Sequence, residues 1–351
     1  MPVHNSEKWL DQSIGSILAQ SFNNFELICV DDGSKDASRD VLLRHAKDDR
    51  RITILSQPGC GAGQARNYGY SNSSGKYILF LDSDDLFLPS MFEQMVECLD
   101  QSGAEVCICE SIRLNQATQT TGDHYVFPNS YSQGLYSHKA FGRDLFQIGC
   151  QVPWNKMVKR ELIASRDIRF PAIPNNEDAL FSASVMAYAK TVFILPKKLV
   201  VYRWGTGSSI QDHESQTPEG ALIASEIVFE QLQNSVANSA ERDSLFECCF
   251  LLALMTLKVA TTHKNYTNEL HSRIITDLKL WNARDRKNAL RHKPFLYYPL
   301  ALLMNSDYET VSWVYAKHNQ RRETSSSIFE KASLGWRMLF GLTYSLRHHS
   351  N

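Results

Sequence analysis

Residues 77–88 read YILFLDSDDLFL, an apolar run interrupted by three carboxylates, Asp82, Asp84 and Asp85. Like charges this close repel, and taking them out of water costs more still. A divalent cation would offset that cost, whereas an acidic turn solvated at a strand end is the plain alternative. The neighbouring sequence bears on the choice. YILFL (77–81) has the length and composition of a buried strand, and MFEQMVECL (91–99) has helical spacing. The acids therefore stand between a strand and a helix.

The same alternation runs through the first 110 residues. Apolar positions Trp9, Leu10, Ile14, Ile17 and Leu18 form one helical face, with Asn5 or Ser6 as N-cap. FELICV (25–30) is strand-like and ends in the turn DDGSKD (31–36). A helix through Val41, Leu42 and Leu43 precedes strand ITIL (52–55). The glycine-rich turn 58–63 opens a helix through Ala65 and Tyr68, and EVCIC (105–109) is strand-like again. Strand and helix alternating at this spacing predict right-handed crossovers and an α/β fold with a mostly parallel sheet. Ligands of such sheets bind outside the carboxyl ends of the strands, where Asp31-Asp32 and Asp82 to Asp85 both fall. Two acidic turns facing one crevice favour the cation.

Other classes fit less well. GCGAGQAR (59–66) follows a strand and opens a helix, but Gln64 stands where a dinucleotide fingerprint needs its third glycine or alanine. A net charge of −1 gives no basic field for nucleic acid. The eight cysteines include no pair at zinc-site spacing, and Cys107 and Cys109 fit one face of a strand. No secretory signal leads the sequence, so reduced thiols and a cytoplasmic location are expected. The run CCFLLALMTL (248–257) is too short to cross a bilayer and reads as a buried helix.

PVHN (2–5), VDDGS (30–34), ARN (65–67), FLDSDD (80–85), PWNK (153–156), NED (176–178) and VYRWGTGSSI (201–210) occur in a telling order and spacing. Over residues 1–210 the chain resembles the inverting glycosyltransferases of family 2, which have the GT-A fold. The resemblance implies a nucleoside cradle from Pro2, Val3 and His4 with Asp31 and Asp32, and Arg66 near the base and phosphates. Asp82-Ser83-Asp84 matches the family's DxD motif, whose acids hold Mg²⁺ or Mn²⁺ against the donor's diphosphate; Asp84 is the preferred direct ligand. Asp85 either joins them or caps the next helix. The ED motif implies Asp178 as catalytic base, with Glu177 as alternative; the structural reading is two acids favouring a helix N-terminus. Trp154, Asn155 and Lys156 would lie on the acceptor side, with the indole as a platform for a sugar ring, or else Trp154 packs inside a loop. Arg203 or Ser208 would stand near the diphosphate.

The expected reaction is transfer of a hexose or N-acetylhexosamine from a UDP-sugar to a glycan or lipid-linked glycan acceptor, with inversion, in cell-envelope or exopolysaccharide synthesis. A non-catalytic sugar-nucleotide-binding protein of the same fold is the alternative, and a glycoside hydrolase fits poorly. Val200 stands where processive members carry the Gln of QxxRW, so a non-processive enzyme is expected. The family's first strand precedes PVHN, so the reading expects it to be missing here and Met1 to be an internal methionine. The transferase domain is expected over 1–215 and a helical region over 216–351. Within the latter, 325–351 is basic and amphipathic, suited either to an anionic membrane or to packing on protein.

Overall fold

The computed structural model describes residues 1–124, 131–149, 151–205, 217, 219–262, 266–280 and 302–323 of the 351. Its strands are β1 (Pro2–Val3), β2 (Leu27–Asp31), β3 (Ile52–Ser56), β4 (Tyr77–Leu79), β5 (Leu86–Phe87), β6 (Val106–Asn115), β7 (Thr120–His124), β8 (Gly134–Ser137), β9 (Lys156–Lys159) and β10 (Thr191–Trp204). The helices are α1 (Glu7–Leu18), α2 (Ser38–Asp48), α3 (Ala62–Ser71), α4 (Met91–Ser102), α5 (His138–Phe141), α6 (Arg160–Ser165), α7 (Glu177–Tyr188), α8 (Gly220–Leu232), α9 (Ser239–Thr262), α10 (Asn268–Leu280) and α11 (Tyr308–Glu323).

The parallel character read from the sequence is that of the N-terminal sheet, ordered β1-β2-β3. The larger sheet is mixed: β4-β9-β6-β10-β5, with β7 on β6 and β8 on β10. Only β6 and β10 run parallel in it. The helical faces predicted for α1 and α4 are buried on Leu10, Ile14 and Ile17 and on Met91, Met95 and Leu99. Val41, Leu42 and Ala65 are buried as expected, but Leu43 and Tyr68 are exposed, and Tyr70 packs in place of Tyr68.

The PVHN segment itself supplies β1, a two-residue strand parallel to β2. Asp32 N–H donates to Val3 O and Val30 N–H to Met1 O, at 2.8 and 2.9 Å. The Met1 ammonium donates to Ile28 O at 2.8 Å, and burial lowers its pKa. A cavity of about 520 Å³ lies between the edges of β2 and β4, lined by Met1, Glu26, Ile28, Tyr77 and Phe80 and reaching Arg66.

The chain divides into two compact units, Met1–Glu214 with Ile227–Leu245, and Ser215–Glu226 with Phe246–Asn351. The first holds a core of Val3, Leu10, Cys29, Phe87, Met95, Cys107 and their neighbours. In the second, Phe250, Leu257, Leu270, Ile274 and Leu278 are buried, and Arg273 grips Glu226 with two bonds of 2.6 and 2.7 Å. The apolar run 248–257 is largely buried, with Met255 exposed, and α9 extends it to 24 residues. Polar helix formers on both flanks lengthen it, so by length and composition alone Ser239–Thr261 could cross a membrane; 72% of its most apolar window is buried, as in a core helix. Segment 325–351 lies outside the described residues.

Candidate active site

The acidic turn sits between β4 and β5, against the polar edge of α1. Ser6 occupies the N-cap position of α1 but makes no cap bond with its side chain. Its hydroxyl meets Ser83 Oγ at 2.8 Å, and Ser13 Oγ donates to Asp82 O at 3.3 Å. One and two turns further on, Ser16 Oγ accepts from Phe87 N–H and Gln20 Nε2 donates to Leu88 O. Helical spacing thus turns Ser6, Ser13, Ser16 and Gln20 into a seam that fixes residues 82–88.

The opening question about the acids has a first answer inside the protein. Arg66, 6% exposed, donates from Nη2 to Asp82 and from Nη1 to Glu177, both at 2.7 Å. A guanidinium is therefore the cation among these carboxylates, its planar fork matching two acceptors at once. Alpha-helix α3 aims it. Asn67, the next residue of ARN, accepts from Phe170 N–H at 3.0 Å and donates to Phe170 O at 2.8 Å, tying down the segment that leads to α7. Gly63, one turn earlier, leaves room for Glu177: a Cβ there would lie 2.9 Å from Glu177 Cγ and 3.0 Å from Pro171 O.

Arg66 does not neutralise everything. Asp84 is pushed up to about 6, by burial first and then by the charge of Asp82. Asp85 is fully buried and raised well above the usual carboxylate range by burial and then by Asp84 and Asp82. Its Oδ1 accepts from Arg203 N–H at 2.8 Å, while its Oδ2 is buried without a partner. It caps no helix, because α4 begins only at Met91 with Ser90 before it. An orphaned carboxylate oxygen and acids forced towards protonation are what a site suited to a hard cation shows without one. Among the described residues no three His, Cys, Asp or Glu groups converge as a complete metal cage. The donor set fits an ion that takes one or two carboxylates here and the rest from phosphate and water.

Across Arg66, α7 starts at Glu177, entered through Asn176 in the left-handed conformation, φ +58°. Asp178 is half-buried, and its carboxyl is raised to about 7, by desolvation first and then by the charge of Glu177. A carboxylate poised near neutrality is the property a general base needs.

The nucleoside-cradle residues are brought together, but mostly on each other. His4 Nδ1 lies 2.8 Å from Asp32 O, so it carries the proton and leaves Nε2 to accept from Asn5. Val3 is core, and Pro2 pairs with β2 through the backbone. Asp31 accepts from Ser34 N–H and Arg39. Asp32 Oδ1 accepts from Gln57 and Cys60 N–H, and Oδ2 from Gly61 N–H, at 2.6–2.8 Å. Asp32 therefore shapes the 57–61 loop as much as it faces outward. That loop closes on Gly33, φ +73°, where a Cβ would meet Gly59 N at 3.1 Å. The β2 turn and the loop before α3 are thereby one surface.

The PWNK segment is corrected by its burial. Trp154, 2% exposed, stacks on Tyr202 with centroids 5.5 Å apart, so its face is not open to a sugar ring. Asn155 Nδ2 donates to Gly149 O, and Lys156 Nζ donates to Gly149 O, Val152 O and Asn155 Oδ1 at 2.6–3.0 Å. These residues brace the interior instead of lining an acceptor site. Ser208 to Ile210 lie outside the described residues. Sequence reading missed Gln57, Asn67 and the Arg203–Asp85 link; only the asparagine of ARN gave a local signal.

Residues 1–166 match the model of glycosyl transferase family 2. Glycosyltransferase GlyA of Streptococcus pneumoniae is 28% identical over 214 residues, 59% of this chain and 30% of GlyA. A second relative, from Bacillus subtilis, is 29% identical over 63% of this chain and 64% of its own length, so the chain matches less than two thirds of either. The crystal structure of Staphylococcus aureus TarS 1–349 with UDP-GlcNAc superposes with a TM-score of 0.63 at 17% identity, over 91% of this chain and 90% of that one. A mannosyltransferase from Pyrobaculum calidifontis, solved with GDP-Man and Mn²⁺, gives 0.53 at 13% identity, over 90% and 85%. These two are likenesses of fold. Residues 1–166 thus resemble glycosyl transferase family 2, and the fold that carries them is GT-A.

Proposed function

We propose that the chain transfers a hexose or N-acetylhexosamine from a UDP-sugar to a sugar hydroxyl, with inversion, without processivity and with a divalent metal. The observation that carries the reading is the pairing of Asp178, raised to about 7, with the acidic turn 82–85 across the Arg66 bridge. One group is suited to take a proton, and the other gathers negative charge that a cation and a diphosphate would complete. The TarS complex with UDP-GlcNAc supports the donor class, and the Mn²⁺ in the mannosyltransferase supports the metal.

In this mechanism the 31–34 turn and the 57–61 loop receive the nucleoside, with His4 beside them. Asp82 and Asp84 would hold Mn²⁺ or Mg²⁺ against the donor's diphosphate, while Ser83 stays bonded to Ser6. The metal, when bound, supplies Lewis-acid stabilisation to the departing UDP. Asp178 takes the proton of the acceptor hydroxyl as it attacks the anomeric carbon from the face opposite UDP. Glu177 is held on Arg66 and orients the start of α7, which favours Asp178 as the base. The acceptor is a glycan, free or lipid-linked, as in cell-envelope or exopolysaccharide synthesis, and the enzyme works in the cytoplasm or at its membrane face. The transferase domain is assigned to 1–215.

Calorimetric titration of UDP with and without Mn²⁺, followed by UDP release from candidate UDP-sugars, tests the reading. Metal-dependent UDP binding is expected in the wild type and absent in Asp84→Asn. A folded wild type that ignores both UDP and Mn²⁺ would leave only a fold retained without its chemistry.

A further inference from the structure

Arg203 is a buried cation that the mechanism above does not employ. It is the penultimate residue of β10 and 3% exposed. Three groups fix it, two on the acidic turn and one on α1. Its backbone N–H donates to Asp85 Oδ1 at 2.8 Å, its Nη1 donates to the Asp84 carbonyl at 2.9 Å, and its Nη2 donates to Gln12 Oε1. The guanidinium also lies over the Trp9 ring, 5.0 Å from its centroid. The end of β10, the acidic turn and α1 are thus pinned at one residue.

Its aim separates Arg203 from Arg66. Arg66 points at carboxylates and neutralises them. The side chain of Arg203 points at a main-chain oxygen, within a turn whose carboxylates are close by. A guanidinium placed to balance charge would take the stronger charge-assisted bond to a carboxylate. One placed on a carbonyl fixes a peptide plane instead. The plane fixed here joins Asp84 to Asp85, and the Asp85 side chain anchors it a second time through the Arg203 amide. With both bonds made, the backbone that follows the Asp84 side chain is held at two points.

We propose that Arg203 is a positioning residue for the acidic turn: it holds the Asp84–Asp85 peptide so that the Asp84 carboxylate is aimed at a divalent cation. This rests on the proposed role of the turn in binding metal with UDP. An arginine is required because one planar fork must reach the Asp84 carbonyl and Gln12 together while staying over the Trp9 ring. A lysine ammonium satisfies the carbonyl alone.

The test uses the full chain as wild type, Arg203→Met and Arg203→Lys. Mn²⁺ binding in the presence of saturating UDP is followed by electron paramagnetic resonance, UDP binding without metal by calorimetry, and folding by thermal denaturation. Arg203→Met is expected to weaken Mn²⁺ binding by about tenfold or more, the scale on which groups that orient a ligand act. Metal-free UDP affinity should change less than about twofold, and Arg203→Lys should recover part of the loss because it keeps the carbonyl contact. Equal Mn²⁺ affinity in wild type and in either folded variant would overturn the proposal. So would a parallel fall in metal and metal-free UDP affinity, which marks general damage. Should Arg203→Met not fold, the comparison with Arg203→Lys decides. A wild type with no metal-dependent UDP binding would instead remove the reading of the turn itself.

Discussion

Two polar clusters lie inside the same domain and look alike on paper. PWNK places Lys156 among apolar neighbours, and FLDSDD places three acids there. In the structure Lys156 Nζ has three oxygen partners at 2.6–3.0 Å. Asp85 Oδ2 has none, and Asp84 is pushed up to about 6. A buried charge whose hydrogen-bonding capacity is filled by its own protein is architecture. A charge left in deficit is a place for something else. The difference lies in what surrounds each group, not in residue type.

The strongest challenge to that distinction is at Asp178. Asp178→Asn should lower turnover by about 10²–10⁴-fold, the usual worth of a general base. In the wild type, kcat/KM should rise with pH through about 7 as Asp178 loses its proton, and the variant should lack this limb. A wild-type rate that stays flat from pH 5.5 to 8 would count against Asp178. Asp84→Asn should reduce metal-dependent UDP binding by about tenfold or more. It should also raise the melting temperature at pH 7.5. The sign follows from the raised folded-state pKa: the stability from keeping Asp84 protonated is complete below its unfolded value and lost as pH rises through about 6. The gain should therefore vanish near pH 4, and a pH-independent shift would refute this account.

Lys156→Met should do the reverse. It leaves buried acceptors without donors and should destabilise the domain by about 2 kcal/mol or more, read as a lower melting temperature. UDP affinity per folded molecule should not change; a loss of affinity in folded protein would return PWNK to the site. The last comparison is at Asp85. Asp85→Asn keeps an oxygen for Arg203 N–H and removes a carboxyl that burial raises well above its usual range, so by the same linkage as at Asp84 it should melt higher than wild type at neutral pH and lose that advantage near pH 4. Asp85→Ala strands that N–H and should fall about 1–3 kcal/mol below Asp85→Asn. Equal melting temperatures for the two variants would show that the bond carries no weight.

The elements were legible wherever one period rules a short window. The faces of α1 and α4 and the runs in β2, β3 and β4 follow from spacing alone. The acidic turn was legible too, because unfavourable charge density is itself a local signal. What closes the site was not. Arg66 meets Glu177 across 111 residues, and Arg203 reaches back 118 and 119 residues to Asp85 and Asp84. No window shows such a pair. The two readings of Trp154 stay level in sequence for the related reason that exposure is a tertiary property: an indole reads the same whether its face meets a sugar or Tyr202. The helix seam of Ser6, Ser13, Ser16 and Gln20 reads in sequence as ordinary polar surface. Only the segment folded onto it reveals it as an interior contact.

The Arg66 bridge has a consequence for the order of events. With a guanidinium already seated on Asp82 and Glu177, a bare metal ion meets a turn that is partly satisfied and gains little on entering. On the proposed metal-dependent reading, a nucleotide diphosphate would change the balance by bringing further oxygens to the ion and an anion to the guanidinium. Metal and nucleotide should then arrive as a single complex, each raising the other's affinity by the same factor. A resting enzyme working in this way would ignore fluctuations in free cation and respond to the chelated donor alone.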